Sequence, residues 1–219
     1  MSTAQADPHG QAAVYAAGAP PESAAGVIIA VHGRGADAQD ILGLAAEVAP
    51  PNVAILAPDA VGHTWYPYRF IEPIERNEPY LTSALALLGR LVGIVTEGGV
   101  PLERVALLGF SQGACLASEY AARNAGRYGG VVAFSGGLIG PLGMTFSYPG
   151  AMTGTPVFLG CSDVDAHIPV ERVEETAAVM TALGAEVDLR IYPGMGHTVN
   201  RDEVEAVRAM LAPLGAPRT

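Results

Sequence analysis

The chain has 219 residues, half of them apolar and 16% charged, with a formal net charge of −10. That length suits one domain with a sizeable core, and the composition is that of a globular chain, not a disordered one. The acidic balance and the lack of any run of Lys or Arg argue against nucleic acid as a partner. No uncharged apolar stretch of about 18 residues is present to span a membrane. Two cysteines, Cys115 and Cys161, are too few for a disulfide framework and lack C-x-x-C spacing. A reducing cytoplasm is therefore the expected compartment. The first residues carry neither a basic n-region nor an apolar h-region and do not read as a signal peptide.

Residues 1 to 25 are rich in Ala, Gly and Pro. Only Val14-Tyr15-Ala16 resembles a short edge strand, and the rest is expected to be a flexible N-terminal segment. Val27 to Val31 is a continuous apolar run of the kind shown by a parallel strand covered on both faces. It stops at His32-Gly33-Arg34-Gly35, and a helix from about Gln39 to Val48 follows, entered through Asp37 or Ala38. Val53 to Ala57 is a second such strand. Residues 60 to 78 then break the rhythm with Trp65, Tyr66, Tyr68 and Phe70 among prolines, a long loop too aromatic to be disordered.

Leu81, Leu85, Leu88, Val92 and Val95 recur at helical spacing up to Gly98. The run Val105 to Leu108 leads into Gly109-Phe110-Ser111-Gln112-Gly113 and a helix-like stretch through Ala122. Val131 to Phe134 is another buried strand, and 138 to 154 is a second irregular segment. Pro156 to Gly160, a helix from about Val170 to Leu183, Val187 to Tyr192 and a helix from Arg201 to Leu211 complete the chain. Strands alternating with helices predict βαβ units: one mostly parallel sheet with helices on both faces, in a single domain over 26–219.

The polar residues of interest each follow a strand: His32, Ser111, Asp165 and His197. In an open α/β sheet this places them on one edge of the molecule. A strand ending in G-x-S-x-G and turning directly into a helix presents its serine on a sharp corner. The two glycines are expected to avoid collisions there and to accept whatever φ the corner imposes. Serine is a weak nucleophile unless an imidazole takes its proton and a carboxylate orients that imidazole. Ser111, Asp165 and His197 occur in the chain order Ser, acid, His.

His197, on a Gly-Met-Gly turn before a helix, is the favoured base. His167 is expected to point away from the serine. Asp165 is favoured over Asp163 as the acid, because Pro169 anchors its loop, whereas Asp163 reads as a turn residue. The oxyanion donors are expected to be the N–H groups of Gln112 and Arg34, which leaves the Arg34 side chain free for another task or none. Cys115, inside the helix, reads as a packing residue.

His32-Gly33-Arg34-Gly35-Ala36, Gly109-Phe110-Ser111-Gln112-Gly113-Ala114, Asp165-Ala166-His167-Ile168-Pro169 and Gly196-His197 resemble the phospholipase/carboxylesterase family of α/β-hydrolases, over roughly residues 26 to 212. The resemblance implies an α/β-hydrolase fold with little or no lid domain. It also implies a serine hydrolase without metal or cofactor, acting on small-molecule carboxylic esters or thioesters and frequently a homodimer. Ala166 stands where the family usually has Pro, and Arg34 where an apolar residue is commoner.

The Trp65 to Phe70 cluster, above all Trp65, Tyr66 and Phe70, with Leu138, Ile139, Met144, Phe146 and Ile168, makes the expected walls of a substrate cleft suited to short-to-medium acyl chains. Acyl-thioester and lysophospholipid hydrolysis are the enzymatic alternatives. A non-catalytic binding protein on the same fold is the remote one.

Overall fold

The computed structural model describes residues 6–217. Seven strands form one sheet: β1 (Val14–Gly18), β2 (Gly26–Val31), β3 (Val53–Pro58), β4 (Val105–Phe110), β5 (Gly130–Phe134), β6 (Pro156–Ser162) and β7 (Glu186–Tyr192). Their spatial order is β1-β3-β2-β4-β5-β6-β7, and every pairing is parallel except β1 with β3. The five helices are α1 (Ala38–Val48), α2 (Tyr80–Glu97), α3 (Gln112–Arg123), α4 (Val170–Ala182) and α5 (Arg201–Leu211).

Alternation along the strands splits the apolar side chains between two cores. Val27, Ile29 and Val31 of β2, with Val105 and Leu107 of β4, face the layer of α2, α3 and α4. Ile28, Ala30, Ala106 and Leu108 face α1 and α5. Two helix starts are fixed by reciprocal caps, Asp37 with Asp40 on α1 and Asn200 with Glu203 on α5. With 18 residues and a mean hydropathy of 1.3, α2 is long and apolar enough to cross a membrane. Here, however, Leu81, Ala84, Leu88, Leu91 and Val95 of α2 pack in the core of the domain.

The strand order reverses between β2 and β4, whose register sets Val31 beside Gly109. The segments leaving these two strands therefore emerge side by side at the topological switch point, where α/β folds bind ligands.

The N-terminal segment departs from expectation. Residues 1 to 5 lie outside the described residues, but Asp7 to Gly18 is integral to the domain. Strand β1 pairs with β3 from Val14↔Pro58 to Gly18↔Ala54. His9 is fully buried, its N–H on Ser83 Oγ at 2.8 Å. The Ser83 hydroxyl donates in turn to the Asp7 carboxylate. His9 Nε2 bonds the Trp65 carbonyl at 3.0 Å, and Nδ1 accepts from Val61 N at 3.3 Å. That pair of partners requires the neutral Nε2–H tautomer, and burial, which lowers the histidine's pKa, favours it. A lone histidine in an Ala/Gly-rich stretch gives no local sign of such long-range anchoring.

Candidate active site

Ser111 closes β4 with φ 55° and ψ −120°, and its N–H donates to Phe134 O at 2.9 Å. The left-handed region is sparsely used by residues with a Cβ and recurs at functional corners. This left-handed φ falls on the serine, not on the flanking glycines, which are needed for space alone. A Cβ on Gly109 would overlap the Gly113 carbonyl, and one on Gly113 would overlap Val31 O.

Three loops converge on that serine. His197 Nε2 lies 2.8 Å from Ser111 Oγ, and His197 Nδ1 lies 2.7 Å from Asp165 Oδ2. The Asp165 side chain is buried, while the imidazole is 21% exposed. Burial by itself pushes the Asp165 carboxyl up. The bond to His197 and the N–H groups of His167 and Ile168, at 2.8 and 3.1 Å, outweigh it and hold the group below the ordinary carboxylate range. Ionised, it orients the imidazole with Nδ1 as donor, which leaves Nε2 free to accept the hydroxyl proton.

Asp163 does not reach the imidazole. It caps the following turn, accepting from Gly194 N at 2.7 Å, and Ser162 Oγ accepts from Gly196 N at 3.1 Å. His167 departs from expectation: its ring meets that of His197 edge-on at 4.8 Å, because the N–H of 167 is drawn onto Asp165.

The loop after β2 brings Arg34 beside the elbow. Among the described residues the Arg34 N–H has no hydrogen-bond partner, and the Gln112 N–H belongs to the open first turn of α3. His32, behind them, donates from Nδ1 to Gly33 O at 2.7 Å and accepts from Ala60 N at 3.0 Å, so it too is neutral. Burial lowers its pKa accordingly.

The Arg34 side chain has another task. Its guanidinium donates to the carbonyls of Tyr66, Pro67 and Tyr68 at 3.0, 2.8 and 2.6 Å. Gln112 grips the same segment: Oε1 accepts from Trp65 N at 2.9 Å and Nε2 donates to Tyr66 O at 2.8 Å. Both residues expected to offer N–H donors thus use their side chains to hold the aromatic loop.

A cleft of about 560 Å³ opens over Ser111 and His197. Of the expected walls, Tyr66, Phe70 and Ile168 line it. Trp65, Leu138, Ile139, Met144 and Phe146 do not. Trp65 is buried beneath the loop with its indole N–H on His32 O at 2.9 Å. Leu138 and Ile139 turn into the core, their N–H groups taken by Thr176 Oγ1 and the buried Glu119 carboxylate, both at 2.9 Å. Met144 packs on Gly140. Tyr68, within the aromatic cluster expected to wall the cleft, also lines it, and the residues missed in the sequence are Phe110, Arg69, Glu72 and Arg76. Phe110, the residue before the serine, was the one with a positional clue. Cys115 forms part of the floor, and burial pushes its thiol up to about 12, as a packing residue requires. Among the described residues, no group of three or more His, Cys, Asp or Glu converges as metal ligands would.

The sheet order, the helices on both faces and the Ser-acid-His loops at the strand ends define an α/β-hydrolase. The phospholipase/carboxylesterase family model matches residues 11–214, and the chain belongs to that family of hydrolases. A phospholipase/carboxylesterase from Dyadobacter fermentans is 40% identical, superposes with a TM-score of 0.87, and is matched over 92% of this chain and 96% of its own. The Bacillus cereus carboxylesterase shares the fold at 18% identity and a TM-score of 0.73, over 94% of this chain and 95% of its own. Acyl-protein thioesterase 1 of Gibberella zeae is 32% identical over 119 residues, 52% of this chain and 50% of that protein. The chain spans about half the length of that curated relative.

Proposed function

We propose that the chain is a serine carboxylesterase acting on short-to-medium-chain esters through an acyl-enzyme on Ser111. The hydrogen-bonded line from Ser111 Oγ through His197 to Asp165, at the base of an open cleft, carries this reading. His197 Nε2 takes the hydroxyl proton as Oγ attacks the ester carbonyl. The tetrahedral oxyanion is held by the Arg34 and Gln112 N–H groups, with the α3 dipole adding positive potential. His197 then gives the proton to the leaving alcohol, and a water repeats the sequence to release the acid. Tyr66, Phe70 and Ile168 offer apolar surface to the acyl chain.

A fluorophosphonate probe is expected to label the protein, with labelling lost in Ser111→Ala. Asp165→Asn is expected to reduce kcat on the order of 10³–10⁴-fold, because the wrong tautomer then faces the serine. No labelling and no hydrolysis across a broad ester panel would leave a non-catalytic binding protein as the better reading. The thioesterase-named relative favours acyl-thioester hydrolysis as the second reading. Matched oxygen and sulfur esters separate the two by kcat/KM.

A further inference from the structure

The chain contains no lysine, and its twelve cationic side chains are all arginine. Three of the twelve, Arg34, Arg69 and Arg76, line the cleft over Ser111 and His197, against a single lining carboxylate, Glu72. A protein of net charge −10 thus presents a cationic opening at this site.

The three are not equivalent. Arg34 spends its guanidinium on three loop carbonyls. Arg76 is paired with Glu72 at 2.8 Å and lies 4.1 Å over the Tyr68 ring. Arg69 is exposed and, among the described residues, makes one side-chain bond, to His167 O at 3.3 Å. That bond is too long to justify a structural role, and it leaves most of the guanidinium donors unspent. The guanidinium lies at the backbone of His167, whose ring touches that of His197. Arg34, without a carboxylate partner among the described residues, lines the same cleft.

We infer that Arg69 is the anchor of an anion subsite, and that the substrates are esters carrying a carboxylate a few bonds from the scissile group. A guanidinium with free paired donors matches a carboxylate in a planar, two-bonded fork. The charges lining the cleft are opposite in balance to the protein as a whole, which favours an anionic ester at this opening. This rests on the esterase reading above and names its substrate class.

The test compares kcat/KM for esters matched in length and, on the acyl side, in leaving group. On the acyl side these are mono-4-nitrophenyl adipate and 4-nitrophenyl hexanoate. On the alcohol side they are 4-carboxyphenyl butyrate and 4-carbamoylphenyl butyrate. The expected result is a preference of about tenfold or more for the anionic member of at least one pair, as a charge-assisted bond supplies. That ratio is expected to fall toward one in Arg69→Gln, to recover in part in Arg69→Lys, and to shrink as salt rises. Neutral esters cleaved with no anionic preference in either pair would overturn the subsite and leave the esterase intact. A preference unchanged in Arg69→Gln would also overturn it. Failure to cleave any of the four, without fluorophosphonate labelling, would overturn both readings.

Discussion

Two irregular segments follow strands on the same edge of the sheet, and each is held by one arginine to three backbone carbonyls. Arg34 binds those of Tyr66, Pro67 and Tyr68. Arg172 binds those of Leu138, Gly140 and Pro141 at 2.8, 2.7 and 3.0 Å. The difference is burial. Arg172 is fully enclosed and carries Leu138 and Ile139 into the core with it, whereas Arg34 is exposed and its loop lines the cleft. The same device therefore builds the domain at one place and shapes the site at the other. Apolar content does not distinguish the two loops; the location of the clamp does.

The largest effect that would sharpen this contrast is expected from Arg172→Ala. It strips three buried carbonyls and leaves a cavity, so urea unfolding should show a loss of about 3–5 kcal/mol. A loss under about 1 kcal/mol would break the comparison.

Next comes Glu203, which lies in neither loop and sets the pH at which the two should be compared. Burial pushes its carboxyl up to about 7, partly offset by the Asn200 N–H. A native state that keeps a proton the unfolded chain has released loses stability as pH rises from about 4.5 through 7. Glu203→Gln is expected to flatten that decline and to gain on the order of 2–3 kcal/mol at pH 8. Unfolding curves at pH 5 and pH 8 check the sign.

Arg34→Ala should do the opposite of Arg172→Ala. We expect kcat/KM for a neutral ester to fall about 10- to 100-fold, as loop misplacement costs orientation, with stability lowered by about 1 kcal/mol or less. The smallest effect belongs to Met144→Ala, in the middle of the second loop. Both stability and kcat/KM should stay within about twofold of the parent, or about 0.5 kcal/mol. A large KM effect there would return Met144 to the cleft wall.

The strands and helices were legible because each is encoded locally, in apolar runs such as Val27 to Val31 and in caps such as Asp37. The candidate triad was legible because every member lies on the turn or loop that leaves a strand. The loop contents were not. Whether Trp65 or Tyr66 faces the cleft depends on Gln112 and Arg34, 32 to 47 positions away in the chain. The burial of Leu138 and Ile139 depends on Thr176, Arg172 and Glu119. These are side-chain bonds to loop backbone, and they leave no period in the sequence. The anchoring of Asp7 and His9 was hidden for the same reason.

The buried indole of Trp65, the only tryptophan among 219 residues, lies between the rings of His9 and His32 at 5.4 and 4.9 Å. Excitation at the red edge of its absorption therefore reads one place only: the floor of the loop that Arg34 and Gln112 hold. The molecule carries its own optical gauge of site integrity, one that needs neither a dye nor a substrate.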